Sequence, residues 1–192
     1  MNRRFFALLL VLLGVVVGRA SVALPAWAQT EDEPARGVAP VVEGEPRYLG
    51  AIRAELDGMG ITGVRCETAT GDTQRATCAF QQTGAETERV LDVRLAYSDV
   101  TDTIYLYASE YLSAPSDGAH SDAVLRRLME LNWTMLLGKF EWDPTDGEVR
   151  LAMVMNTDSN FDRRAFRSAV RGLNVLADRY YPELHRLETT GR

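Results

Sequence analysis

Apolar residues recur every three or four positions in three stretches of the chain, which predicts three amphipathic helices. Pro46 suits the first turn of the first helix, because its missing N–H would have no partner there. Ser121 and Asn160 are the predicted N-caps of the second and third helices. Pro182 lies near the end of the third helix and is expected to kink or stop it. The predicted stripes are Leu49, Ile52, Leu56 and Met59; Val124, Leu128, Leu131 and Met135; and Phe166, Val170, Leu173, Ala177, Tyr180 and Leu184.

Alternation of apolar and polar residues over 90–97 and 103–112, together with turn sequences elsewhere, predicts the strands between these helices. Gly71 and Asp72 mark a hairpin turn, with Gly71–Thr73 as a three-residue loop. The turn Pro144–Gly147 marks a second hairpin. The predicted strands are 63–70, 73–81, 90–97, 103–112, 138–142 and 148–156. Blocks of strands joined by hairpins indicate an α+β fold with an antiparallel sheet. The order is α-β-β-β-α-β-β-α, with a possible extra N-terminal strand.

Three tyrosines and two residues of the second helix are candidate partner contacts. Tyr105, Tyr107 and Tyr111 are predicted to share one face of a strand, either as core or as a partner surface. Leu125 and Met129 lie off the core stripe of the second helix. We expect these two residues to contact a second copy of the chain, so that Leu125→Asp weakens a dimer and leaves the monomer folded.

The N-terminus has the three parts of a cleavable secretory signal. Arg3 and Arg4 precede Phe5–Gly18, an apolar run too short for a permanent membrane anchor, and Ala26-Trp27-Ala28 is a typical cleavage site. An uncleaved anchor through Leu24 and a twin-arginine route are the alternatives. The predicted organisation is therefore a signal peptide at 1–28, a flexible linker at 29–44, a domain at 45–187 and a disordered tail at 188–192.

The charge of the chain argues against nucleic acid and anionic membrane surfaces as partners. The 192 residues include 21 Lys and Arg against 27 Asp and Glu, a net charge of −6. Removal of the signal takes away Arg3, Arg4 and Arg19 and leaves −9. Phosphate backbones require a basic face, so we expect a protein partner or a homodimer and no stable membrane anchor after cleavage.

Cys66 and Cys78 are predicted to form a structural disulfide. They would lie opposite each other across the first hairpin, at a separation that a disulfide can use. An exported, oxidising setting favours the bond. Two buried reduced thiols are the alternative. The absence of a C-x-x-C spacing in the sequence argues against a redox-catalytic pair.

No motif in the sequence supports catalysis, a metal or a cofactor. The two histidines, His120 and His185, have no second ligand at metal-binding spacing, and Asp143, Asp146 and Glu148 surround a turn that favours acids anyway. There is no G-x-S-x-G, Walker or G-x-G-x-x-G motif.

The second half of the chain resembles the YbjN family of proposed bacterial sensory transduction regulators, which shares a fold with type III secretion chaperones. Four segments carry the resemblance: Leu131-Asn132-Trp133, Leu137–Trp142, Asp146–Val149 and Ala177–Leu184. The resemblance implies a small, often dimeric, protein-binding or regulatory module without a cofactor. The export signal departs from the cytosolic setting of the better-known relatives, so an effector-chaperone role is not expected.

These observations together predict a non-catalytic, exported, periplasmic or secreted module that binds a protein partner or itself. Two alternatives stay open at this point. One is a periplasmic enzyme or ligand-binding protein, which would need a deep pocket with convergent polar groups. The other is an accessory subunit of an envelope complex, tethered through residues 29–44.

Overall fold

In the described part of the chain, nine elements form one antiparallel sheet with three helices packed against it. The computed structural model describes residues 44–157 and 160–192, so the predicted signal peptide and all but the last residue of the predicted linker lie outside the described residues. The six strands are hydrogen-bonded in the order β1-β2-β3-β4-β6-β5. The bounds are α1 Leu49–Gly58, β1 Arg65–Ala69, β2 Asp72–Thr83, β3 Val90–Ser98, β4 Thr103–Ser113, α2 Ser121–Thr134, β5 Lys139–Trp142, β6 Glu148–Asn156 and α3 Arg163–Thr190.

The predicted α+β class is confirmed, including the extra N-terminal strand. The observed order is α-β-β-β-β-α-β-β-α, because the predicted first hairpin contributes two separate strands before β3. Each neighbouring pair of strands is antiparallel. In the described part of the chain, no helix is long and apolar enough to cross a membrane.

One face of the sheet and the inner faces of the helices form the core. Alternate residues of β3 and β6, such as Leu95 and Leu151, are buried on this face. They pack with the predicted helix stripes, represented by Leu56, Leu128 and Leu173. Because side chains alternate across a strand, the other residues lie on the opposite face, here called the open face.

The predicted pairing of the two cysteines is confirmed, although the turn between them is not the one expected. Cys66 lies opposite Cys78, and a disulfide joins them with a Cα–Cα distance of 4.0 Å. The register shifts between Thr68 and Ala69, and Ala69 pairs with Asp72. Asp72 therefore belongs to β2, and the predicted loop at Gly71–Thr73 was wrong by about one residue.

A β-bulge in β4 overturns the prediction that three tyrosines share one face. The register between β4 and β6 shifts between Ala108 and Leu112, and Glu110 in this bulge has a φ of 50°. Between these two pairs β4 has two more residues than β6, so the regular alternation of faces is interrupted inside the bulge. Tyr105 and Tyr107 stay on the open face, whereas Tyr111 is 1% exposed in the core.

Both predicted N-caps were wrong by one or two residues. The cap position of α2 is His120, and the Ser121 hydroxyl donates instead to the Pro115 carbonyl at 2.7 Å. The α3 cap is Asp162, whose carboxylate accepts from the Ala165 N–H at 2.9 Å. Asp162 is the stronger competitor because an aspartate caps as well as asparagine and also favours the positive end of the helix dipole.

The last helix is longer than the sequence predicted. α3 runs through Pro182 to Thr190 and ends at Gly191, which has a φ of 72°. Pro182 does not stop the helix, and residues 188–190 are helical where a disordered tail was expected. Glu188 explains the extension, because its carboxylate accepts from the Ser113 N–H at 2.8 Å and ties the last turns of α3 to β4.

Candidate functional site

Four apolar side chains at the end of α2 are exposed to solvent. They are Met129, Trp133, Leu136 and Leu137, with exposed fractions of 69%, 91%, 99% and 71%, and are called the α2 patch below. Met129 and Trp133 are four positions apart on α2 and so share one face. A single exposed leucine is ordinary, but a patch of large apolar side chains within nine residues is typical of an interaction surface.

Beside this patch, the middle of the edge strand β5 has no free backbone groups with which a further strand could pair. β5 is an edge strand, and Asn132 of α2 holds the outer backbone groups of Phe140. Its amide donates to the Phe140 carbonyl at 3.0 Å and accepts from the Phe140 N–H at 2.7 Å. An unpaired edge invites strand addition. A partner at the α2 patch would therefore bind through side chains rather than by extending the sheet.

Only one of the two predicted α2 contacts lies in this exposed surface. Met129 is exposed, whereas Leu125 is half-buried and packs against the core. The exposed face of α2 instead runs through Asp122, Arg126, Met129 and Trp133. Leu125→Asp is therefore expected to destabilise the monomer too, contrary to the prediction from the sequence, because that change places a charge against the core.

Tyr105 and Tyr107 form an aromatic and charged cluster on the open face. Their ring centroids are 5.0 Å apart, and the Arg150 guanidinium lies 5.5 Å and 5.0 Å from the two centroids. Glu141 accepts hydrogen bonds from the Tyr105 hydroxyl and from Arg150, the latter at 3.0 Å. Both rings are half-buried among these neighbours. The cluster is thus internally satisfied and is a weaker candidate contact surface than the α2 patch.

The electrostatics of this cluster keep Glu141 charged and Tyr105 neutral. Burial raises the pKa of Tyr105, and the hydrogen bond to Glu141 raises it further. Burial also acts to raise the pKa of Glu141, but hydrogen bonds from Tyr105, Lys139 and Arg150 outweigh it and leave that pKa lowered. A neutral phenol that donates to a carboxylate is a stable arrangement near neutral pH.

A groove of about 950 Å³ crosses the open face and continues around the bent end of β4 to α3. Arg65, Arg94, Tyr107 and Arg150 line it on the sheet, and His185 lines it on α3. His185 stacks on the Tyr181 ring and contacts the Glu188 carboxylate at 2.8 Å. No Ser, Thr or Cys side chain bonds to an imidazole nitrogen within the described residues, and no group of metal-ligating side chains occurs among them.

A buried carboxylate of α3 holds the loop between β2 and β3. Asp178 is 6% exposed and accepts from the N–H groups of Glu86 and Thr87, at 2.7 Å and 3.1 Å, and from the Thr87 hydroxyl. The hydroxyl bond is the largest cause of a lowered pKa for Asp178. A Cβ on Gly84 would lie 2.2 Å from this carboxylate, so the loop requires glycine there.

The second half of the molecule matches a known protein family. Residues 89–186, from the start of β3 almost to the end of α3, match the YbjN family model, described as "Putative bacterial sensory transduction regulator". The chain belongs to the YbjN family. That description is of a regulator and names no enzymatic activity. No curated protein matches the sequence significantly.

Most motif residues of the YbjN resemblance have structural contacts. Asn132 holds β5, the Trp142 indole donates to the Ala114 carbonyl at 2.8 Å, and Asp178 holds the β2–β3 loop. Glu183 accepts from Arg127 of α2 at 2.8 Å. Trp133 and Leu137 are exceptions, since both belong to the same motif and are 91% and 71% exposed. Sequence reasoning noted this tryptophan without assigning it to a surface; its i+4 spacing from Met129 was the available signal.

Proposed function

We propose that this YbjN-family chain is a non-catalytic protein-binding module that acts outside the cytosol and self-associates through the α2 patch. The observation that carries the proposal is the exposure of Trp133 and Leu136, at 91% and 99%. Burial of such side chains against a partner releases about 25 cal/mol per Å² of apolar surface. Tryptophan is also the residue type most enriched among side chains that dominate binding energy.

The pattern of the exposed face of α2 favours a second copy as the partner. In a two-fold symmetric interface, each residue contact occurs twice. If two α2 helices pack antiparallel about Met129, Arg126 lies three positions to one side and Trp133 four positions to the other. Arg126 of one copy then meets Trp133 of the second copy, and a guanidinium over an indole is a favourable cation–π pair. Arg126 is exposed and makes no ion pair among the described residues.

Light scattering over a concentration series tests self-association. We expect a dimer for the wild type and at least a tenfold weaker dimer for Trp133→Ser and for Leu136→Ser. Arg126→Glu should weaken the dimer less. Val175→Ser is the matched control, because Val175 is an apolar residue on α3 with 55% exposure and is not part of the α2 patch. A wild type that stays monomeric at high micromolar concentration, or a dimer that survives Trp133→Ser, contradicts self-association through this patch.

Export is the second part of the proposal and has its own support. The signal-like N-terminus and the Cys66–Cys78 disulfide both suit an oxidising compartment. Intact mass spectrometry of the protein from fractionated cells tests it. We expect a chain that begins at Gln29, in the periplasmic or secreted fraction, with no free thiol. A chain that retains Met1 and two free thiols in the cytosol contradicts it.

A further inference from the structure

Two arginines of the open face form no ion pair within the described part of the chain. Strand pairing places Arg65 of β1 opposite Ala79 of β2, and Ala79 opposite Arg94 of β3. Tyr107 of β4 is the next residue across the sheet. Cross-strand partners share a face, so the arginines lie on either side of the alanine. Arg65, Ala79 and Arg94 together are called the arginine slot below.

The slot is open between its two arginines. Two strand spacings, about 10 Å, separate the backbones of Arg65 and Arg94, and only the methyl group of Ala79 lies between them. Both arginine side chains are exposed. All three residues line the open-face groove and also a neighbouring cavity of about 340 Å³. The slot therefore offers two guanidinium groups to one ligand that lies over the alanine.

The space beside the slot extends beyond what a single small anion would fill. Thr77 and Ala96 are cross-strand partners, and they line the groove two residues along the strands from the slot. Their short side chains protrude little from the sheet. The groove volume of about 950 Å³ is near the upper end of the range for ligand pockets. Its size fits a segment of extended chain better than one ion.

The other two arginines that line the groove already have partners. Arg150 is paired with Glu141 at 3.0 Å. Arg89 lies over the Tyr181 ring, 4.0 Å from its centroid, and donates to the Tyr111 carbonyl at 3.0 Å. The guanidinium groups of the groove that have no partner among the described residues are therefore the two of the slot.

The acids nearest to the slot do not neutralise it. Glu67 and Asp92 lie two residues along the strands from Arg65 and Arg94, and neither is within ion-pair distance of them. Asp92 instead accepts a hydrogen bond from the Gln81 amide at 3.0 Å. The positive charge of the slot is therefore available to a ligand.

The opposite end of the groove is acidic, which determines where a negative ligand binds. Glu148 accepts from the Glu110 N–H at 2.9 Å, and Glu188 accepts from the Ser113 N–H at 2.8 Å. These carboxylates bond to backbone groups and keep their negative charge in the groove. An acidic ligand is repelled from this end and attracted to the slot.

We propose that the arginine slot binds an extended acidic segment of a partner protein, with two carboxylates at positions i and i+2. In an extended segment these side chains point the same way and lie about 7 Å apart, a separation that both arginines of the slot can reach. A guanidinium holds a carboxylate through two parallel hydrogen bonds. Each exposed ion pair is weak on its own, so both arginines are needed and salt weakens the binding.

Fluorescence anisotropy with a labelled peptide tests the proposal. The probe is a short peptide in which glutamate alternates with serine, and its control has glutamine in place of glutamate. We expect saturable binding of the glutamate peptide at low salt, and at least tenfold weaker binding of the glutamine peptide. Arg65→Gln/Arg94→Gln should weaken binding at least tenfold. The matched control Arg164→Gln/Arg171→Gln makes the same charge change at exposed positions of α3 and should leave it unchanged.

A second variant keeps the test decisive if the arginine double variant folds poorly. Ala79→Glu keeps both arginines and places a carboxylate of the chain itself between them, so it should weaken binding of the glutamate peptide at least tenfold. Ala79→Gln adds nearly the same volume without the charge and should weaken binding less.

Three results would overturn the proposal. The first is no binding of the glutamate peptide at millimolar concentration, and the second is binding that Ala79→Glu leaves unchanged. The third is a slot that binds inorganic phosphate or phosphatidylglycerol vesicles but not the peptide. The slot shares no residue with the α2 patch, so light scattering should show unchanged self-association for all these variants. Peptide binding by a chain that stays monomeric would contradict the dimer and support the slot.

Discussion

Asp178 of α3 and Trp133 of α2 belong to the same family resemblance but have opposite surroundings. Asp178 is 6% exposed and accepts three hydrogen bonds from the β2–β3 loop. Trp133 is 91% exposed. The comparison shows that one motif can contain residues that hold the fold and residues that are available to a partner. Burial and hydrogen bonding separate the two kinds, and spacing along the sequence does not.

The largest effect on stability is expected at Asp178, the buried residue of the two. Asp178→Asn should lower the free energy of unfolding by about 2–3 kcal/mol, because an amide presents N–H groups to backbone donors that need an acceptor. Chemical denaturation measures it, with Asp117→Asn in an exposed loop as the control. A loss below about 0.5 kcal/mol would mean that the loop does not depend on this carboxylate.

The effect of Asp178→Asn on the free energy of unfolding should depend on pH. The pKa of Asp178 is lowered in the folded protein, chiefly by the Thr87 hydroxyl bond. Its stabilisation is therefore complete above the unfolded pKa, about 3.9, and is lost as the pH falls through the lower folded pKa. The stability difference between the wild type and Asp178→Asn should shrink below about pH 4. A difference that stays constant down to pH 2 would contradict a charged Asp178.

The Cys66–Cys78 disulfide precedes residue 89, where the family match begins. Its reduction therefore tests a stabilising bond that does not belong to the family motif. Breaking the Cys66–Cys78 bond should lower the free energy of unfolding by about 2 kcal/mol, since the bond closes a short loop in the unfolded chain. Denaturation with and without a reductant measures the change. Dimerisation should be unchanged, and a dimer lost on reduction would place β1 in the interface.

Asn132 is next to the exposed Trp133 in the motif, but its side chain has a structural role. It hydrogen-bonds the backbone N–H and C=O of Phe140 in the edge strand β5. Asn132→Ala removes two hydrogen bonds and should cost about 1–2 kcal/mol. It should also raise aggregation, because the outer groups of Phe140 become free to pair with another strand. Thermal unfolding with turbidity measures both effects. Unchanged aggregation with lower stability would restrict Asn132 to a packing role.

Trp133 should show the smallest effect on stability and the largest effect on association. Trp133→Ser should change the free energy of unfolding by less than about 0.5 kcal/mol, because the side chain is exposed in the monomer. Denaturation at low protein concentration, where the monomer dominates, measures this value. A loss of more than about 1 kcal/mol under those conditions would mean that Trp133 supports the fold, and the comparison with Asp178 would fail.

Periodicity alone predicted most of the fold correctly. The stripes of the helices are buried as expected, from Leu49 in α1 to Leu184 in α3, because burial of one helix face imposes the spacing of three and four. The pairing of Cys66 with Cys78 was also predictable, since a hairpin places these positions opposite each other. Helix ends were less predictable, because Asp162 and Asn160 are both competent caps and the spacing of the apolar residues does not choose between them.

Tertiary contacts decided the features that bear on function. The bulge at Glu110 sends Tyr111 into the core, where its hydroxyl donates to the Ala177 carbonyl at 2.6 Å. The α3 extension past Pro182 depends on Glu188 and a distant N–H of β4. Leu125 and Met129 look equivalent in the sequence, but only Leu125 packs against the core.

The sequence by itself therefore determined the element order, the buried stripes and the cysteine pair, because these depend on local periodicity and hairpin geometry. Only the tertiary structure decided which apolar residues stay exposed. Exposure depends on what other elements cover, and nothing in the described structure covers Trp133 and Leu136. It also aligned Arg65 with Arg94 across Ala79, because strand register is a property of the assembled sheet.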